Sequence, residues 1–219
     1  MRLRSLKQLI DIVKAMTRPK QITVLGSSSL LASNPDLGEK GRPLELSLDA
    51  DLLIEPCDEG QAGILHEAIG EGSLFHREYG VYADFMRPEI AETFPAGWQQ
   101  RCIHLGRDRS VRCLNPIDLA LVKLKLGREK DVALLQSMLK SGVINLAGLQ
   151  KAYQETVMNE RDMFKAGRLL RRLELDCEGG YKTSYDAPPI AREPKAKLNG
   201  RRRSVTAKSV RGHIKRTRK

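Results

Sequence analysis

Ile22-Thr23-Val24-Leu25-Gly26-Ser27-Ser28-Ser29, followed beyond a Pro/Gly-rich loop by Leu46-Ser47-Leu48-Asp49-Ala50-Asp51-Leu52-Leu53-Ile54, is the stretch on which the fold turns. Four apolar or β-branched residues, 22–25, end at a glycine and read as a short buried strand. Residues 27–33 read as a helix start with a serine N-cap. Asn34, Pro35, Gly38, Gly41 and Pro43 mark a loop. Leu46, Leu48, Ala50, Leu52 and Ile54 then alternate with Ser47, Asp49 and Asp51, a strand pattern that Pro56 stops.

Outward from this stretch, Leu6, Leu9, Ile10 and Val13 form one face of a helix over residues 3–16, closed by Pro19. Ile64, Leu65, Ala68 and Ile69 predict a helix over residues 60–71. Residues 81–85 predict a third strand, with Tyr82 and Asp84 on one side of the alternation. Residues 101–105 and 111–114 predict a last strand pair around a polar loop. From Asn115 the chain turns helical: Asn115 is a cap, Pro116 suits the first helical position, and Asp118 suits the first turn beside the helix dipole. Helical pattern runs to about residue 139, then over 146–158 and 160–175. The fold class is α+β: a small mixed sheet flanked by helices over 1–115, a C-terminal helical region over 116–178, and a basic tail over 179–219.

Charge is distributed unevenly. Residues 189–219 hold 12 Lys or Arg and one acid, Glu193. Subtracting these from the totals of 38 and 27 leaves 26 of each sign, so the net +11 belongs to the tail. The tail has too little apolar surface to offset its ordering entropy and is expected to be disordered. A flexible chain of cations attracts phosphates with strong salt dependence, so nucleic acid is the expected partner of residues 189–219. A solubility tail or a contact for an acidic partner protein fits the same composition. No aromatic residue follows Tyr185, so the tail lacks a base-stacking group.

No apolar run approaches the roughly 20 residues of a membrane span, and the N-terminus lacks the apolar segment of a signal peptide. No membrane role and a cytoplasmic location are expected. Cys57, Cys102, Cys113 and Cys177 include no Cys-x-x-Cys pair, which argues for reduced thiols rather than a zinc site. The four histidines show no metal spacing. Trp98, after Pro95 and Gly97, reads as a pin between its loop and the core.

Asp49 and Asp51, one residue apart on a strand, point to the same face of a sheet. Among apolar neighbours they repel each other and lose hydration. Two arrangements accommodate them: an edge strand with a wet outer face, or a divalent cation held between carboxylates. The Gly26-Ser27 turn likewise reads either as an ordinary capped helix or as a place where backbone approaches phosphate. It is not a Walker loop, because no Gly-Lys-Ser/Thr follows, and no nucleophile elbow is present.

Taken together, strand, Gly-Ser turn, helix, loop and Asp-x-Asp strand resemble the signature of the nucleotidyltransferase superfamily. Asn115-Pro116-Ile117-Asp118-Leu119, continuing through Lys123-Leu124 to Arg128-Glu129-Lys130-Asp131, is similar to the helical motif of AbiEii-like toxin–antitoxin-associated nucleotidyltransferases and of a related family of unknown function. The resemblance implies phosphate contacts from Gly26, Ser27 and Ser28, and Mg²⁺ or Mn²⁺ on Asp49, Asp51 and a third acid, for which Asp84 is best placed. It implies that Lys123 approaches the triphosphate of a nucleoside triphosphate, with Arg128 and Asp131 framing the cleft. The implied reaction moves a nucleoside monophosphate to a hydroxyl of RNA, such as a tRNA end, or of a protein. A toxin-type role with a cognate partner protein goes with it. The other expectation is a body without turnover that serves as an adaptor for nucleic acid or a partner protein.

Overall fold

The computed structural model describes residues 1–107 and 109–178; the expectations for the tail lie outside the described residues. The helix α1 (Leu3–Thr17) buries Leu6, Leu9, Ile10 and Val13, the face its spacing predicts. It ends at Arg18, in the left-handed region, just before Pro19. Strand β1 (Gln21–Val24) follows, then two 3₁₀ segments, Ser27–Ala32 and Pro35–Gly38. Strand β2 (Asp49–Glu55) leads to α2 (Glu59–Ile69), α3 (Leu74–Tyr79) and β3 (Tyr82–Phe85). After a 3₁₀ segment at Pro88–Thr93 come α4 (Trp98–Arg101), β4 (Ile103–His104) and β5 (Val111–Cys113). Four helices complete the described chain: α5 (Pro116–Leu126), α6 (Glu129–Lys140), α7 (Leu146–Glu155) and α8 (Glu160–Glu178).

The five strands form one mixed sheet in the order β3-β2-β1-β5-β4. β1 runs antiparallel to β2 and parallel to β5, while β2 runs parallel to β3. Ala50, Leu52 and Ile54 are buried on one side of the β2 pleat, which leaves Asp49 and Asp51 on the other. The core also takes in Ile22, Val24, Leu65 and Ile69 near the sheet, and Leu119, Leu121, Leu135 and Leu170 from the later helices. Trp98 is buried as expected, with the Phe94 ring centroid 5.0 Å away and the Arg112 guanidinium 5.5 Å above its ring. All four cysteines are free thiols. No helix among the described residues is long and apolar enough to cross a membrane.

The structure corrects several local expectations. β2 starts at Asp49, not at residue 46, and Leu46 and Leu48 are 85% and 46% exposed. The sheet does not reach back over them: on β2, β1 pairs with Leu52 to Glu55 and β3 pairs from Asp49 onward, with only the Leu48 carbonyl accepting from the Tyr82 N–H at 3.0 Å. The predicted serine-capped helix is a 3₁₀ segment capped by Gly26, and Ser29 Oγ donates back to the Gly26 carbonyl at 2.8 Å. The helix expected to run to residue 139 breaks at Gly127, whose φ of 62° lets α5 end in a left-handed residue. Asp118 does more than face a helix dipole. It is buried and accepts from Arg101 in a bidentate pair, with Nε 3.0 Å from Oδ2 and a terminal guanidinium nitrogen 2.6 Å from Oδ1.

Candidate active site

The parallel β2–β3 pairing sets Asp51 directly opposite Asp84 and Asp49 opposite Tyr82. Paired residues in adjacent strands project to the same side, so the pleat carries all three carboxylates to one face. Each offers an oxygen, and these oxygens all lie within 4.8 Å of one another. All three side chains are half-buried. Burial, then the neighbouring Asp49, pushes the Asp51 carboxyl up to about 6. Burial and Asp49 also raise Asp84. This is the signature of acids held together against their own repulsion.

Gly26 sits against this group because β1 continues past its last pair alongside β2. The Leu25 N–H donates to the Asp51 carbonyl at 2.8 Å, and Gly26 follows with φ 56° and ψ −162°. That backbone conformation is open essentially only to glycine. A Cβ on residue 26 would lie 1.8 Å from the Asp51 carboxylate oxygen. The glycine is therefore required twice, by its dihedrals and by the carboxylate beside it. Ser27 reaches the cleft, and its Oγ lies 3.2 Å from Ser47 Oγ, which donates to Asp49 Oδ1 at 3.4 Å. Ser28 does not: its hydroxyl is buried, has no hydrogen-bond partner among the described residues, and is not part of the cleft wall. The six-residue 3₁₀ segment also replaces the helix N-terminus that was expected to face phosphate.

The opposite wall comes from α5 and α6. Lys123 Nζ lies 3.1 Å from Asp131 Oδ1, and Arg128 Nε lies 2.7 Å from Asp131 Oδ2. Asp131 is the third residue of α6 and also accepts from the Arg128 backbone N–H at 3.3 Å. It thus ties the helix start to both cations. Burial pushes its carboxyl up, but the hydrogen bonds and charges of Arg128 and Lys123 outweigh this and hold it below its ordinary value. Of the two lysines on α5, Lys123 enters the cleft and Lys125 donates to the Thr93 carbonyl at 2.8 Å.

Together these residues enclose an open cleft of about 470 Å³ that holds Asp49, Asp51 and Asp84 on one wall and Lys123, Arg128 and Asp131 on the other. Two polar lining residues were given no site role in the sequence. Lys130 lies one position from Asp131 and acts electrostatically on Asp51, and Ser47 bridges Ser27 to Asp49. Nothing in the spacing of Lys130 separates it from a solvated helix lysine. An oxygen-only donor set of three clustered carboxylates fits a hard divalent cation such as Mg²⁺ or Mn²⁺.

Residues 1–174 match the family described as "Nucleotidyltransferase of unknown function (DUF6036)". The chain belongs to that family. The match spans the sheet, the acidic group and the helices through most of α8, so the nucleotidyltransferase resemblance extends over nearly all the described residues. No curated protein and no solved structure matches the chain. In this nucleotidyltransferase the sheet brings three acids to one place, and two later helices face them with cations.

Proposed function

We propose that the protein transfers a nucleoside monophosphate from a nucleoside triphosphate to an acceptor hydroxyl. The observation that carries this reading is the convergence of Asp49, Asp51 and Asp84 on a cleft that also presents Ser27, Lys123, Arg128 and Lys130. Asp49, Asp51 and Asp84 would hold Mg²⁺ or Mn²⁺. When bound, such ions neutralise phosphate charge and activate an attacking oxygen. Lys123, Arg128 and Lys130 bind the triphosphate, and the Ser27 hydroxyl donates to one of its oxygens. Asp131 positions Lys123 and Arg128 rather than touching substrate. The acceptor oxygen bonds to the α-phosphorus, the bond from that phosphorus to the β-phosphate bridge breaks, and pyrophosphate leaves. The hydroxyl proton passes to water. Such a transfer depends mostly on alignment and charge neutralisation, both of which this cleft supplies.

RNA is the acceptor favoured by the cationic sequence 189–219. A toxin-type role, with a cognate partner protein, belongs to the same reading. The direct test offers each nucleoside triphosphate, radiolabelled at the α-phosphate, with Mg²⁺ and total cellular RNA or protein. Labelled acceptor with wild type and none with Asp51→Asn is expected. Equal labelling by both proteins would overturn the assignment of the acids. No labelling by either with any nucleotide would favour the adaptor.

A further inference from the structure

Residues 1–178 hold equal numbers of Lys or Arg and of Asp or Glu, but along α8 the two signs are segregated. Acids occupy the two ends of that helix: Glu160 and Asp162 in the first turn, Glu174, Asp176 and Glu178 at the other end. Between them, residues 163–173 contain four cations and no acid. Lys165, Arg168 and Arg172, with Arg161 before them, recur at spacings of four, three and four, so they share one helix face. All four are exposed, while Ala166, Leu170 and Leu173 on the other side are buried in the core. Arg171 is engaged with Glu174 at 3.0 Å, but no ion pair among the described residues engages Lys165, Arg168 or Arg172.

An aromatic ring lies within this stripe. Phe164 is 67% exposed, and the Arg168 guanidinium sits 5.8 Å above its ring. A shallow groove of about 500 Å³ runs beside it, lined among others by Phe164, Met163, Tyr153 and Gly167. An exposed phenylalanine flanked by unpaired cations is costly in water and useful against a ligand with a π-face and a phosphate backbone. Single-stranded nucleic acid has both, because its unpaired bases are free to stack. Duplex bases are not. An acidic peptide would satisfy the cations but leave the ring exposed.

We infer that this face of α8 is a binding surface for single-stranded nucleic acid, with Lys165, Arg168 and Arg172 on successive phosphates and a base stacked on Phe164. The surface is distinct from the acidic cleft and needs neither metal nor nucleotide. It supplies the stacking group that the tail sequence lacks.

The experiment uses the full chain in EDTA without nucleotide, so its outcome is independent of whether the cleft catalyses transfer. Binding of a fluorescein-labelled oligouridine of about 12 nucleotides is read by anisotropy across a salt series. Oligothymidine and a duplex of equal length are run beside it, to separate RNA from DNA and single from double strands. Phe164→Ala is expected to weaken single-strand binding about 10-fold with the salt slope unchanged. The triple variant Lys165→Gln, Arg168→Gln, Arg172→Gln is expected to flatten the slope of log K against log salt by about 2. Both variants binding like wild type would overturn the inference and assign all affinity to the tail. Equal loss on duplex and single strand with Phe164→Ala would overturn the stacking. Displacement of oligouridine by polyglutamate of equal charge at equal concentration would overturn it in favour of an acidic protein partner.

Discussion

Asp51→Asn should stabilise the metal-free protein while abolishing its response to Mg²⁺. Asp51 is held at about 6 by burial and by Asp49, against an ordinary carboxylate value near ~4. An interval of that size corresponds to roughly 3 kcal/mol of unfavourable free energy when the carboxyl is ionised at pH 7.5. Residual access to water lowers the figure, so the expected gain from the neutral isostere is ~1–3 kcal/mol, or ~2–10 °C in Tm. The sign follows from linkage. A carboxyl whose folded value lies above its unfolded value favours folding at low pH and loses that contribution as pH rises through about 6. The advantage of Asp51→Asn should therefore vanish near pH 4 and be complete above pH 7. Thermal unfolding in EDTA at both pH values measures it. In Mg²⁺ that advantage should shrink by ~2.7 kcal/mol at a hundredfold excess over Kd, because a cation that binds only the folded state stabilises wild type and the variant forfeits this. A variant less stable than wild type in EDTA, or equally stabilised by Mg²⁺, would refute the reading of Asp51 as a strained cation ligand.

Gly26→Ala should cost ~2–4 kcal/mol in urea unfolding, since residue 26 holds a glycine-only conformation and a methyl there meets the Asp51 carboxylate; Mg²⁺ stabilisation should be lost with it. Asp118→Asn should also destabilise, by ~1–3 kcal/mol, because it leaves Arg101 without the charge it grips, yet the protein should still bind Mg²⁺ in the same unfolding assay. The two Asp→Asn changes thus move stability in opposite directions. For Asp131→Asn the loss should be full above pH 6 and shrink below about pH 4. The folded Asp131 carboxyl lies below its ordinary value, so its contribution is present above the unfolded value and fades as acid protonates the folded form. Urea midpoints of wild type and variant across pH check this, and weakened binding of a nonhydrolysable nucleoside triphosphate should accompany it. Expression of wild type, but not of Asp51→Asn, is expected to arrest growth if the toxin-type role holds; continued growth with active enzyme would remove that role.

Local patterns in the chain already contained several of these features. The spacing of Leu6, Leu9, Ile10 and Val13 determines the buried face of α1, because a helix of 3.6 residues per turn leaves no other way to gather them. Asp49 and Asp51 must share a side of their strand because the pleat has a period of two. Asn115 and Pro116 start α5 through chemistry confined to one turn, and the Asn115 side chain does accept from the Ile117 N–H. What tertiary structure decided is which distant residues meet. Asp84 joins the acids only because β3 runs parallel to β2 in a register that sets it opposite Asp51, and parallel pairing across two intervening helices leaves no short-range trace. Leu46 and Leu48 carry a strand's alternation yet stay exposed, since a strand exists only where a neighbour completes its hydrogen bonds. By spacing alone, apart from the family resemblance, Lys123, Lys130 and Asp131 read as an ordinary charged helix face until α5 and α6 pack beside the sheet, which buries Asp131 between Lys123 and Arg128 and brings Lys123 and Lys130 to the cleft that holds the acids. Periodicity is a property of one segment and is written in its sequence; the charge balance of a cleft depends on separations that only packing sets.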